Sequence, residues 1–136
     1  MKPSLRVRDL VSRHVPVVRV DDTLGLAALA MMATESQHVP VVDASDALVG
    51  VVSRGDLPEP DGGSRRVGDV MRAPVITVRR DALASDAAAL LVANRVGCVV
   101  AVDRDGVPIG VLTVTDLLLA ADLVFDGNAK TRTRPS

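Results

Sequence analysis

Two short segments of the chain place a hydroxyl side chain three residues before a carboxylate. They read GVVSRGD, residues 50–56, and GVLTVTD, residues 110–116. At the point where a strand becomes a helix, this spacing puts both groups on one side of the first helical turn. A phosphate could be bound there by Ser53 or Thr113 together with the free N–H groups of the helix. Asp56 or Asp116 could accept both hydrogens of a ribose diol, because a carboxylate is an acceptor-only group.

The same spacing also has a purely structural interpretation. Ser-x-x-Asp and Thr-x-x-Asp resemble a capping box, in which the hydroxyl and the carboxylate satisfy the backbone donors of their own helix. Two occurrences at matched positions of a repeat favour a further role for Thr113 and Asp116. Both interpretations remain open from the sequence.

Other kinds of chemistry have little support in the sequence. The soft metal ligands are His14, His38 and Cys98, and none of them has a recognised metal spacing. Cys98 lies at the start of an apolar strand without a partner base, which favours a small core residue over a nucleophile. The pair Gly62-Gly63 lacks the lysine of a phosphate-binding loop. We therefore expect neither an enzyme nor a metal site.

Both hydroxyl–carboxylate segments belong to an internal repeat. HVPVVDASDALVGVVSRGDL, residues 38–57, is matched by CVVAVDRDGVPIGVLTVTDL, residues 98–117. Each copy contains two β-branched runs joined by a polar turn, which predicts a hairpin. Upstream, VRDLVSRHVPVVRV, residues 7–20, is similar to VGDVMRAPVITV, residues 67–78. The predicted order in each copy is strand, helix, strand, strand and the start of a second helix.

An amphipathic helix is predicted after each first strand. The apolar stripe is Leu24, Ala28, Met31 and Met32 in the first copy, and Leu83, Ala87, Leu90 and Leu91 in the second. Asp22 and Asp81 are the expected N-caps. The two adjacent methionines are expected in the core.

These motifs, repeated in order from Val7 to Phe125, resemble the tandem CBS domains of the Bateman-module family. The resemblance implies an α+β fold, in which two β-α-β-β-α repeats pack as a pseudo-twofold module with two clefts. The expected bounds are residues 1–57 for the first repeat, 58–66 for a linker, 67–126 for the second repeat and 127–136 for a disordered tail.

The resemblance also implies a ligand and the residues that contact it. Such modules sense adenosine derivatives (AMP, ADP, ATP or S-adenosylmethionine) and form flat homodimers. Carried over by position, one cleft comprises Thr113, Asp116, Val111, Pro16, Val17, Gly97 and Cys98. The reciprocal cleft comprises Ser53, Asp56, Val51, Pro74 and Val75, with His38 near the phosphates. If only one cleft binds a ligand, the cleft beside Asp116 is preferred, because Pro58 and Pro60 stop any helix that begins near Asp56. The other cleft has the better-placed basic residues, Arg54 and His38.

Composition narrows the range of partners. The formal net charge is −1, so a nucleic-acid partner is not expected. The longest nearly apolar run, Leu24 to Ala33, is shorter than a bilayer crossing requires, and the first residues do not resemble a signal peptide, so a cytoplasmic location is expected. Phe125 is the only aromatic residue, and a ligand ring would therefore be held between aliphatic side chains.

The expected function is a regulatory, homodimeric sensor that signals to an unknown effector protein. Two apolar stretches, Leu117 to Leu119 and Leu123 to Phe125, are candidates for the dimer contact. The alternative is a structural or protein-interaction scaffold of the same fold without a ligand, in which both hydroxyl–carboxylate pairs only cap helices.

Overall fold

The computed structural model describes residues 5–11, 16–57 and 65–120. In the first repeat the elements are β1 (Val18–Arg19), α1 (Leu24–Thr34), β2 (His38–Val42) and β3 (Leu48–Ser53). In the second they are β4 (Thr77–Arg79), α2 (Ala84–Asn94), β5 (Cys98–Val102) and β6 (Pro108–Thr113), followed by helix α3 over the described residues 114–120. The predicted α+β fold with two equivalent repeats is confirmed. Most of the predicted linker and the whole predicted tail lie outside the described residues.

Each repeat forms a three-stranded sheet. The first strand runs parallel to the second, and the second pairs with the third as an antiparallel hairpin. The polar turns of both hairpins form as predicted. In the first, the Asp43 carboxylate accepts hydrogen bonds from the N–H groups of Ser45 and Ala47. In the second, Asp103 accepts the equivalent bonds from Asp105 and Val107.

The register of the first strands corrects the alignment made from sequence. Val18 pairs with Val41 and Val78 pairs with Ala101, so equivalent residues are 60 positions apart here, as they are in the hairpins. The sequence match had placed Pro16 opposite Pro74, which is two residues out of register. Strand pairing decides the alignment, because the partner residues on β2 and β5 fix which positions of the first strands are equivalent.

The predicted N-caps are wrong for both helices. The N-cap of α1 is Thr23, whose hydroxyl accepts from the N–H of Leu26 at 3.3 Å. The Asp22 carboxylate instead accepts from the N–H of Arg19 at 2.7 Å and so holds the turn between strand and helix. The α2 N-cap position is Leu83, without a side-chain hydrogen bond, and Asp81 lies before it.

One predicted core methionine lies on the surface. Helix α1 buries Leu24, Ala27 and Met31 against its sheet, whereas the Met32 side chain is 69% exposed. Successive helical residues are separated by about 100° around the axis, so a helix that turns Met31 inward turns Met32 away. Helix α2 buries the equivalent set, Ala84, Ala87 and Leu91.

The two repeats exchange their first turns. Val7, in a 3₁₀ turn at Val7–Asp9, is fully buried in the core of the second repeat, and its N–H donates to Ala82 O at 2.9 Å. Val67, in the matching turn at Val67–Asp69, is fully buried in the core of the first repeat, and its N–H donates to Asp22 O at 2.8 Å. Each core is therefore completed by a residue from the other repeat.

The residue that ends each exchanged segment packs onto a glycine of the opposite hairpin. A Cβ atom added at Gly110 would lie 2.6 Å from Val11 Cβ, and one added at Gly50 would lie 2.6 Å from Met71 Sδ. The glycine that opens each hydroxyl–carboxylate segment is therefore needed for close packing between the repeats.

The second hydroxyl–carboxylate segment leads into a helix, and the first does not. After Ser53 the chain makes only a 3₁₀ turn, Arg54–Asp56, and Leu57 is already extended. After Thr113 residues 114–120 are helical. This difference was predicted from the prolines that follow Asp56. None of the helices in the described part of the chain has the length and apolar character that a membrane crossing requires.

We predict that Gly110→Ala destabilises the fold by about 1–3 kcal/mol, because the new methyl group forces Val11 out of its packed position. The matched control is Gly97→Ala, since a Cβ atom there meets no atom within 4 Å and Gly97 does not adopt a positive φ. Chemical denaturation would measure both free energies of unfolding. Equal stability of the two variants would contradict the packing role of Gly110.

Candidate ligand-binding cleft

An open cleft of about 980 Å³ lies between the two repeats. The sequence prediction named six of its lining residues: Pro16, His38, Gly97, Val111, Thr113 and Asp116. The cleft is built from the end of α1 and the start of β2 in one repeat, and from β6 and the start of α3 in the other. Two remote parts of the chain thus form its opposite walls.

The carboxylate of Asp116 both caps a helix and lines the cleft. Its Oδ2 atom accepts from the Thr113 N–H at 2.9 Å and from the Thr113 hydroxyl at 3.1 Å. Its other oxygen, Oδ1, has no hydrogen-bond donor among the described residues. The capping interpretation is therefore correct for one oxygen, and the second oxygen remains available to a ligand.

Residues at the end of α1 also line the cleft, and sequence reasoning missed them. Glu35 ends the helix in the left-handed conformation at φ 54°, and the Ser36 N–H donates to Met31 O at 3.0 Å. This turn directs the segment from Thr34 to Gln37 along the cleft wall. The sequence gives a weak signal for it, because the residue in the left-handed position is not a glycine. Leu10, Gly110, Val114 and Thr115 complete the missed set.

His38 lies in this cleft, whereas the sequence had assigned it to the other one. Burial lowers the pKa of His38 from its usual 6.5, and the nearby carboxylates of Asp56 and Asp116 oppose this shift without cancelling it. The imidazole is therefore mainly neutral near pH 7. It offers a ligand one hydrogen-bond donor and one acceptor, not a fixed positive charge.

Two residues expected beside Asp116 are placed elsewhere. Val17 is 42% exposed, and neither Val17 nor Cys98 is among the residues that line the cleft. Cys98 pairs with Thr113 across the second hairpin. Burial raises the pKa of its thiol to about 11, so Cys98 is protonated and a poor nucleophile. Among the described residues, no group of three or more His, Cys, Asp or Glu side chains is placed to hold a metal.

The acid equivalent to Asp116 in the first repeat has a different environment. Asp56 Oδ2 accepts from the N–H and from the hydroxyl of Ser53, both at 2.9 Å. Its Oδ1 accepts from Arg72 Nη2 at 3.0 Å and from Arg72 Nε at 3.2 Å. Burial raises the pKa of Asp56, but the hydrogen bonds from Arg72 and Ser53 outweigh it and the pKa is lowered overall. Both oxygens are thus occupied by donors of the chain itself.

The reciprocal set of residues predicted from sequence is not brought together. Val51 lies beside Arg72, with which it forms two backbone hydrogen bonds. Pro74 and Val75 line a separate open pocket of about 660 Å³ together with residues of both hairpin turns. The two-residue shift in the alignment explains this placement, because the strand position equivalent to Pro16 is Ile76 and not Pro74.

The curated proteins that are similar to this chain are longer than the chain itself. Inosine-5'-monophosphate dehydrogenase of Methanocaldococcus jannaschii is 34% identical over 110 residues, which are 81% of this chain and 22% of that enzyme. The uncharacterized protein MJ1232 of the same organism is 34% identical over 130 residues, 95% of this chain and 44% of that protein. The chain therefore spans less than half the length of these curated relatives.

Solved structures match over most of their own length. CBSX2 in complex with AMP is 28% identical, with a TM-score of 0.71 and coverage of 88% of this chain and 98% of that one. The CBS domain of a CBS domain containing membrane protein from Sphaerobacter thermophilus is 26% identical, with a TM-score of 0.76 and coverage of 86% and 88%. The family model of the CBS domain matches residues 7–58 and again residues 67–122. The chain therefore belongs to the CBS domain family and carries two CBS domains in tandem.

Proposed function

We propose that this CBS pair is a non-enzymatic regulatory module that binds an adenosine derivative in the cleft beside Asp116. The main support is the Oδ1 atom of Asp116, which accepts no bond from the described residues and lies on the wall of a cleft of about 980 Å³. The likeness to a CBS protein in complex with AMP supports the same ligand class. The module acts in the cytoplasm and transmits binding to an effector protein through a homodimer. A ligand can do this only by binding one dimer arrangement more tightly than another.

The cleft offers complementary chemistry for each part of an adenosine. Asp116 Oδ1 accepts the hydrogens of the ribose diol. The base is held between aliphatic side chains, for which Leu10, Pro16 and Val111 are available on the cleft walls. The Thr115 hydroxyl is one more group that can bind a polar substituent.

The charges around the cleft favour ligands with few phosphates. Glu35 and Asp116 line it, and no lysine or arginine is among the lining residues that the structure describes. Each additional phosphate therefore adds repulsion. We expect AMP and S-adenosylmethionine to bind more tightly than ATP.

A scaffold without a ligand is the second candidate, and the capping bonds favour it. Thr113 and Asp116 satisfy each other and the beginning of α3 whether or not a ligand is present. In that case the cleft has no physiological occupant, and protein contacts are the only function of the fold.

We predict that AMP or S-adenosylmethionine raises the melting temperature and that Asp116→Asn weakens this binding by about 10- to 100-fold. The physical reason is the loss of a charged acceptor, which contributes about 1.5–3 kcal/mol to a hydrogen bond. Thermal shift followed by calorimetric titration would measure both effects.

The matched control is Asp56→Asn, because Asp56 makes the same bonds to its own serine. It should change ligand affinity less than about twofold. No shift with AMP, ATP or S-adenosylmethionine would favour the scaffold, and unchanged binding to Asp116→Asn would exclude this site.

Helix α1 carries an apolar surface suited to a second copy of the chain. Leu26, Leu29 and Met32 are exposed at a spacing that places them along one side of the helix. No charged residue lies between Leu24 and Thr34. In a twofold dimer the same surface of both copies meets, so a surface without charged residues meets no like charge. At the equivalent position of Leu26, helix α2 carries Asp86, which would face a like charge.

The structure describes only the first of the two apolar stretches that the sequence analysis named for the dimer contact. Leu118 and Leu119 are exposed on α3, as a contact would require. Leu117 packs against the core of the second repeat instead. Residues 123–125 lie outside the described residues. Within the part of the chain that the structure describes, the surface on α1 is the more extensive candidate for the dimer contact.

We predict that the wild-type chain is a dimer at micromolar concentration and that Met32→Glu makes it monomeric, because a glutamate would be buried without a partner. The matched control is Val92→Glu at the equivalent position of α2, since that side chain is 78% exposed and should leave the dimer intact. Light scattering coupled to size exclusion would give the masses. A monomeric wild type, or dissociation by both substitutions, would contradict the assignment.

A further inference from the structure

The two equivalent acids, Asp56 and Asp116, differ in one charged neighbour, which is Arg72. We infer that Arg72 occupies the place beside Asp56 that a ligand would take, keeps a ligand away from Asp56 and limits each chain to one bound adenosine derivative. This inference rests on the proposed function of the Asp116 cleft. It concerns how many ligand sites each chain has and which residue sets that number.

The hydrogen bonds of the two acids show the difference. Asp56 and Asp116 each bind the N–H and the hydroxyl of the residue three positions earlier through Oδ2. At Asp56 the remaining oxygen also receives Nη2 and Nε of Arg72, at 3.0 and 3.2 Å. The corresponding oxygen of Asp116 has no donor among the described residues. A ribose diol could therefore bind Asp56 only by displacing the guanidinium.

The backbone holds Arg72 beside the cleft. The Arg72 N–H donates to Val51 O at 2.9 Å, and the Val51 N–H donates to Arg72 O at 3.1 Å. Val51 is the counterpart of Val111, which lines the open cleft. The neighbouring Met71 packs onto Gly50. The backbone of Arg72 is thus fixed beside Val51, from where its side chain reaches Asp56.

The burial of the pair favours a stable ion pair over a loose surface contact. The Asp56 side chain is 9% exposed, whereas the Arg72 side chain is 72% exposed. A nearly buried carboxylate needs a partner, and a bidentate guanidinium is the strongest one available to a protein. Because Arg72 itself is exposed, its removal leaves no cavity in the core.

The two repeats differ in sequence at the position of Arg72. The position 60 residues before Arg72 is Ser12, which has no charge and lies outside the described residues. Replacing Arg72 by serine would give both repeats the same residue at this position. It would leave Asp56 with the two bonds from Ser53 that mirror those of Asp116.

Calorimetric titration with AMP would test the inference on the full chain. We expect one site per chain in the wild type and two in Arg72→Ser, with the affinity of the first site changed less than about twofold. Arg72→Gln should behave likewise and gives a second variant if Arg72→Ser folds poorly. Arg54→Ser is the control, because it removes the same charge from an exposed residue without a bond to Asp56.

Each outcome separates the inference from the proposed function. Two sites in the wild type, or one site in both Arg72 variants, would overturn the role of Arg72 and leave the Asp116 site intact. No binding to the wild type together with one site in Arg72→Ser would support the role of Arg72 and overturn the proposed site. Asp56→Asn added to Arg72→Ser should return the count to one.

Discussion

The exchange of first turns between the repeats is the contact on which the rest of the structure depends. Val7 and Val67 are fully buried in each other's repeat, and the residues that follow them pack onto the two glycines of the hairpins. Burying a valine contributes about 1.5–3 kcal/mol, so neither core is complete alone. The cleft beside Asp116 is therefore shared between the repeats, since its walls come from both.

The two repeats of this chain have equivalent backbones but different side chains at some positions. The helices, hairpins and turns recur with an interval of 60 residues, and α1 and α2 bury the same positions. The differences lie in side chains outside the two cores, such as Arg72 and the exposed residues of α1. Because packing constrains the shared positions, these free positions are where one repeat can acquire a function that the other lacks.

Capping a helix and binding a ligand are compatible tasks for a carboxylate. Asp116 uses one oxygen to accept from Thr113, which fixes the position of the other. A group held in this way loses little freedom when a ligand arrives. Asp56 shows the alternative, because its second oxygen is satisfied within the chain by Arg72. The same local motif thus leaves one carboxylate oxygen without a donor from the described residues in the second repeat, whereas both oxygens accept bonds in the first.

The sequence by itself determined the local structure: the hairpins, the presence of a helix after each first strand and the helix that continues after Asp116 but not after Asp56. These features depend on neighbours within one turn or one hairpin, which periodicity, turn residues and prolines reveal. Only the tertiary structure decided the register of the first strands, the exchange of first turns, the place of His38 in the cleft and the bond from Arg72 to Asp56. Those contacts join residues that are distant in the chain or in different repeats. No local pattern specifies them, because they follow from how the two sheets pack.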